Sequence, residues 1–130
     1  MKALIVDDVA LTRRLLESAI RDLGDIIMAE DGQSAIRAID SARHDGHPID
    51  LICLDINLPD MSGIDVLQHL RDLEAREDIP EAQRSRVLVI SSVSDINVVK
   101  KAMQLGCDGY IRKPHSLEKV RKEIRRLKLT

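Results

Sequence analysis

A chain of 130 residues fits one domain, long enough to bury roughly two-thirds of its unfolded surface in a single core. With 20 Lys and Arg against 22 Asp and Glu, the net charge of -2 gives no general pull toward nucleic acid or an anionic membrane, so any basic patch must be local. One Tyr and no Phe or Trp leave the core to aliphatic side chains and remove any stacking platform for bases.

Met1-Lys2 leads directly into the apolar run Ala3 to Val6, with no h-region of signal-peptide length and no apolar stretch long enough to span a bilayer, so a cytoplasmic protein is expected. Asp7-Asp8 ends this first strand-like run. Leu11, Leu15, Ala19 and Leu23, with Leu16 and Ile20 beside them, follow at helical spacing and predict one apolar face packed on a sheet, stopped by Gly24. A second run, Ile26 to Ala29, leads through Asp31-Gly32 to a shorter amphipathic segment with Ala35, Ile36 and Ile39. His44 to Pro48 is a polar loop before the run Leu51 to Leu54, which ends in Asp55.

Ile64, Leu67 and Leu70 mark a helix after Ser62-Gly63. The stretch from Glu74 to Arg86 is long, charged and interrupted by Pro80, and predicts a frayed helix end plus a surface loop. Val87 to Ile90 ends in Ser91-Ser92, and Val98, Val99, Ala102, Met103 and Leu105 mark a helix stopped by Gly106. Tyr110-Ile111 ends in Arg112-Lys113, and Leu117, Val120, Ile124 and Leu127 mark the last helix. Runs that are apolar throughout, alternating with helical segments, predict an α/β domain whose parallel strands are covered on both faces.

The strand endings carry the chemistry. In an open parallel sheet the ligand crevice lies beyond the carboxyl ends of the strands, so Asp7, Asp8, Asp55, Ser91 and Lys113 would converge there. Asp8 or Thr12 could instead simply cap the helix that follows. Asp55, after four apolar residues, is harder to assign to a cap. Carboxylates a few Å apart repel by roughly 4 kcal/mol per pair at an effective dielectric near 20, a penalty that a bound cation removes. Mg²⁺ prefers one or two carboxylates, a carbonyl, waters and phosphate oxygens, and a carboxylate is also a competent nucleophile toward phosphorus. Lys113 would then be a point-charge partner and Ser91 a hydroxyl donor to phosphate oxygens. Cys53 and Cys107 have no metal spacing and sit among apolar neighbours as buried free thiols, while His44, His47 and His69 also lack ligand spacing.

Asp7-Asp8, the segment Asp55-Ile56-Asn57-Leu58-Pro59-Asp60-Met61-Ser62-Gly63, Ser91-Ser92 and Gly109-Tyr110-Ile111-Arg112-Lys113-Pro114 together resemble the receiver domain of two-component response regulators, over essentially the whole chain. The resemblance implies a single flavodoxin-like (βα)5 domain over residues 1–130, with strand order 2-1-3-4-5, helices on both faces and no effector domain. It also implies that Asp7, Asp8, Asp55 and the Asn57 backbone carbonyl hold Mg²⁺ and that Asp55 accepts phosphate from a histidine kinase or histidine phosphotransfer protein. By the same resemblance, Lys113 would contact the phosphoryl group, Ser91 would be the switch hydroxyl, and Tyr110 would turn inward behind it. The Lys113-Pro114 bond would be cis.

By the same resemblance Asn57 and Val93 occupy positions that influence phosphoryl lifetime. His115 stands where the family usually has an apolar residue, and the Glu74 to Arg86 connection is longer than usual; both departures bear on partner choice rather than acceptor chemistry. The implied protein is a phosphorylation-dependent signalling switch rather than an enzyme, with a downstream protein target on the last two helices and Tyr110. The cations of the last helix, Lys119 to Lys128, form a solvated face, with no direct nucleic-acid or membrane partner expected. The alternative is a small Mg²⁺-dependent hydrolase acting through an aspartyl phosphate on an exogenous substrate. A haloacid-dehalogenase type would need an Asp-x-Asp motif that Asp7-Asp8-Val9 does not supply, and the phosphate-loop motifs GxxxxGK[ST] and GxGxxG are absent.

Overall fold

The computed structural model describes residues 1–114 and 116–129; His115 and the family departure it represents lie outside the described residues. Five strands, β1 (Lys2–Val6), β2 (Asp25–Ala29), β3 (Leu51–Leu54), β4 (Arg86–Ser91) and β5 (Gly109–Arg112), form one parallel sheet in the order β2-β1-β3-β4-β5. The five helices are α1 (Ala10–Ile20), α2 (Gly32–His44), α3 (Gly63–Arg76), α4 (Ile96–Gln104) and α5 (Leu117–Arg126). Every strand found in the sequence is present: β3 has the expected bounds, and the other four are longer by one or two residues at polar or glycine ends where periodicity gives no signal. The Lys113–Pro114 bond is cis.

Successive strand residues point to opposite faces, and the uninterrupted apolar runs divide accordingly. Leu4, Val6, Ile52, Leu54, Val87 and Val89 meet Ala35, Ile39 and Ala42 of α2, Val66, Leu67 and Leu70 of α3, and Ala102 of α4. On the other face Ala3, Ile5, Leu51, Cys53, Leu88, Ile90 and Ile111 meet Leu16 and Ile20 of α1 and Val120 and Ile124 of α5. A fully buried Leu or Ile contributes about 1.5–3 kcal/mol, which is how a core without Phe or Trp suffices.

Two expectations need correction. The apolar residues of α1 do not form one buried face: Leu16 and Ile20 are buried, whereas Leu11 is 66 % and Leu15 43 % exposed. They lie on a second stripe of the same helix, turned away from the sheet. The helix also ends at Ile20, and a 3-10 turn over Arg21–Leu23 carries the chain to Gly24.

The segment after Leu73 is not frayed. Glu74 is fully buried inside α3, accepting hydrogen bonds from Arg71 Nη1 and the Ser85 backbone N–H, each at 2.7 Å. Arg43 of α2 approaches the same carboxylate at 3.7 Å. Ser85 donates its hydroxyl to the Ile49 carbonyl, and Arg71 also donates to the carbonyls of Ser85, Leu105 and Gly106. The long connection is therefore nailed to the sheet at its far end from the strand termini that carry the candidate site. A buried charge survives only when paired and hydrogen-bonded, and charge pairing is invisible to hydrophobic periodicity.

Glu74→Ala is expected to lower unfolding free energy by about 3–5 kcal/mol, because Arg71, Arg43 and the Ser85 N–H lose their partner together; urea unfolding measures it. Burial pushes the Cys53 thiol from its ordinary 9.0 up to about 12. The native state then holds a proton that the unfolded chain releases, so stability is intact below pH 9.0 and falls, by up to about 1.4 kcal/mol per pH unit, toward about pH 12. Urea midpoints across that window fall for the wild-type chain and fall less steeply in Cys53→Ala, where the raised pKa values of Tyr110 and Lys113 still contribute a slope, after allowance for the pH-independent cost of the cavity.

Candidate functional site at the strand termini

The register fixes where the acidic residues emerge. Val6 pairs with Leu54 and Leu54 with Val89, so β1, β3 and β4 reach the same sheet edge side by side. The ladder continues one residue further, with Asp7 N donating to Ala29 O and Asp55 N to Val6 O. Asp7 and Asp55 are consequently adjacent, and only 1 % and 5 % exposed.

Lys113, just past the end of β5, is brought in by its own backbone N–H, which donates to Ser91 O at 2.9 Å. Its ammonium donates to Asp7 Oδ2 at 2.7 Å and Asp55 Oδ2 at 3.0 Å. Burial works to lower the lysine's pKa, but the hydrogen bonds and charges of Asp7 and Asp55 outweigh it, and the group stands above its ordinary 10.5. The remaining oxygens are organised locally: Asp7 Oδ1 accepts from Val9 N, and Asp55 Oδ1 from Asn57 N.

Asp8 is exposed and does not cap α1, whose N-cap is Val9 with no side-chain hydrogen bond. That removes the capping explanation and leaves its carboxylate beside the pair. One oxygen from each of Asp7, Asp8 and Asp55 lies within 4.8 Å of the others. Hard carboxylate oxygens on two buried residues and one exposed residue suit a hard divalent cation approached from solvent.

Ser91 is the last residue of β4 and is wholly buried. Its Oγ accepts from Val93 N at 3.2 Å, and the Tyr110 hydroxyl donates to Val93 O at 2.7 Å. Burial raises the Tyr110 pKa. The residues singled out for switching are thus joined through the backbone of Val93, a role for its peptide groups that side-chain chemistry gave no reason to expect. Asn57 is exposed and pairs across its loop with Ser62. Asp7, Asp8, Asp55 and Lys113 form the cluster itself; Ser91 and Asn57 flank it, and Tyr110 stands behind on β5.

The response regulator receiver domain model matches residues 3–125. The chain is 32 % identical over 129 residues to chemotaxis protein CheY of Pseudomonas aeruginosa, covering 98 % of this chain and 95 % of that protein. It is 33 % identical over 125 residues to the probable transcriptional regulator ycf27 of Porphyridium aerugineum, covering 95 % of this chain and 46 % of that longer protein. Among solved structures, the CheX–CheY–BeF3–Mg²⁺ complex from Borrelia burgdorferi superposes with a TM-score of 0.82 at 27 % identity, covering 100 % of this chain and 90 % of its counterpart.

Among the described residues, Lys113 is the cation paired with the cluster. Lys113→Ala should cost about 3 kcal/mol in metal-free buffer, since Asp7 and Asp55 lose their counter-charge in a largely buried setting. Millimolar Mg²⁺ should recover much of that loss in the variant. Thermal melts with and without the ion check both, and an unchanged melting temperature in metal-free buffer would contradict this account of the bridge.

Proposed function

Because the chain belongs to the response regulator receiver family, we propose that Asp55 accepts a phosphoryl group from a histidine kinase or histidine phosphotransfer protein. The observation that carries the proposal is the Asp7, Asp8 and Asp55 cluster with Lys113 bridging two of its members. An Asp55 carboxylate oxygen attacks phosphorus, the phosphorus–nitrogen bond of the donor phosphohistidine breaks, and the bonding pair leaves with the imidazole. The product is an acyl phosphate.

Asp7, Asp8, Asp55 and the Asn57 backbone carbonyl are the residues that would hold Mg²⁺, which offsets negative charge on the phosphoryl oxygens when bound. Lys113 supplies a second, fixed positive charge, and its raised pKa keeps it protonated throughout the physiological range. Ser91 donates its hydroxyl to a phosphoryl oxygen, and Tyr110 follows through Val93. The outcome is a changed protein surface rather than a released product.

The surface supports two protein contacts. Exposed Leu15, with Thr12, Ser92 and Pro114, lines a shallow apolar hollow beside Lys113, with Leu11 exposed on the same helix. A donor that must bring phosphohistidine to Asp55 has apolar area to rest on there. On α4, Ile96 and Met103 are 61 % and 56 % exposed, and with α5 and Tyr110 they form the face assigned to a downstream protein target. Several cations of α5 are engaged within the chain: Arg125 with Glu118, Arg126 with Glu123, and Arg121 with the Ser18 carbonyl. This favours a solvated helix face over a nucleic-acid contact.

Incubation with Mg²⁺ and acetyl phosphate, followed by intact mass measurement, is expected to give a single phosphoryl adduct on the wild-type chain. The adduct is lost in Asp55→Asn and when Mg²⁺ is chelated. An equal adduct in the variant would refute Asp55 as acceptor. Sustained release of phosphate from many small esters would favour the hydrolase instead.

A further inference from the structure

The loop from Asp55 to Ser62 is gripped at its tip by a residue outside the carboxylate cluster. Asp60 divides its carboxylate between two backbone donors of another element, Oδ1 accepting from Gly32 N at 2.8 Å and Oδ2 from Gln33 N at 2.9 Å. These are the first two residues of α2, whose own N-cap, Asp31, accepts from Ser34 N at 2.7 Å. Two carboxylates from different parts of the chain therefore share the free donors of one helix end. The bond to Gly32 is the largest cause of the lowered Asp60 pKa, although the residue lies at the surface.

The approach is close enough that a side chain at residue 32 would force Met61 to move. A Cβ on residue 32 would fall on Cγ and Sδ of Met61 and come within 3.2 Å of Asp60 Oδ1. The base of the loop is pinned separately: Gly63 N donates to Ile56 O at 2.7 Å, and a Cβ on Gly63 would strike the Asp55 carbonyl. Asn57 lies between the two pins.

A closed circuit results. Asp7 N bonds Ala29 O at the end of β2, the chain continues through Glu30 and Asp31 into α2, Asp60 bonds the start of α2, and the loop returns through Asn57 to Asp55. Both ends of the circuit are residues assigned to the cation. Asp31 already caps α2 locally, and exposed Asp60 adds little burial, so its distinctive effect is to fix the loop against the start of α2.

Resting on the metal assignment proposed above, we infer that Asp60 is a positioning residue. Its two-pronged hold on the N-terminus of α2 keeps the Asn57 carbonyl aligned with Asp7, Asp8 and Asp55, and so sets divalent-cation affinity. Groups hydrogen-bonded directly to a metal ligand typically change metal affinity by roughly 10- to 100-fold, and Asp60, acting along the loop from three residues away, is expected at the lower end of that range.

The test is calorimetric Mg²⁺ titration of the full chain, with melting temperature recorded in metal-free buffer. Asp60→Ala is expected to weaken Mg²⁺ binding about tenfold, and Asp60→Asn, which keeps one acceptor oxygen, to fall between it and wild type. Gly32→Ala, by displacing Met61 and Asp60, should match Asp60→Ala. The acetyl phosphate reaction should slow in these variants at low Mg²⁺ and recover as the ion is raised. Wild-type affinity in a folded Asp60→Ala chain, whatever its melting temperature, would reduce Asp60 to a helix cap and overturn the inference alone. A wild-type chain that binds no Mg²⁺ would overturn the inference together with the metal assignment.

Discussion

The Lys113 ammonium, 2.7 Å from Asp7 and 3.0 Å from Asp55, is the interaction on which the arrangement depends. Two nearly buried carboxylates on neighbouring strands repel one another, and at the low effective dielectric of a sheet edge that repulsion amounts to several kcal/mol. The lysine comes from the edge strand β5 and must reach past β4 to touch both. It can do so because its backbone is anchored to Ser91 O. The bridge joins β1, β3 and β5 into one charged unit, and any ion or phosphoryl group entering the site changes the partners of Lys113. Binding chemistry and strand geometry are consequently coupled before any ligand arrives.

The sequence made the strand termini legible because parallel register converts position in the chain into position in space. An acidic, hydroxyl or basic residue directly after an apolar run can only lie at the carboxyl edge, and Asp7, Asp55, Ser91 and Lys113 all obey that rule. Other features depend on contacts between elements distant in sequence, for which local periodicity has no signature. Asp60 reaches α2 across 28 positions, and Arg71 reaches Gly106 across 35. Glu74 looked like part of a frayed, charged helix end, yet pairing made its burial tolerable. Leu11 and Leu15 fit the same helical period as the core residues, and hydrophobicity alone cannot tell a stripe facing the sheet from one awaiting a partner.

Asp60 and Lys113 illustrate two ways of holding a loop-borne site rigid. Lys113 acts by charge on the carboxylates themselves, and its hold weakens when a competing cation takes over that work. Asp60 acts on a neighbouring helix end through backbone donors that no ligand contests. One constraint can therefore relax on ligand binding while the other persists, which lets the carboxylates exchange partners without the β3–α3 loop drifting.

The proposed switch follows a similar division. A single recruited hydroxyl bond is worth about 0.5–1.5 kcal/mol net, whereas moving a population from 1:99 to 99:1 requires about 5.5 kcal/mol. Ser91 alone is insufficient. Its Oγ is tied as an acceptor to Val93 N, leaving its hydrogen to donate toward a new oxygen, and Val93 O holds the Tyr110 hydroxyl. In that proposal, drawing Ser91 toward Asp55 would displace the turn at Val93, and Tyr110 would either follow that turn or exchange its hydrogen bond for another. Because the ring is half-buried among apolar neighbours, either course repacks area as well as polar contacts. The hydroxyl bond, the redistribution of charge at Lys113 and the repacking of Tyr110 then act on one displacement, so their free energies can add.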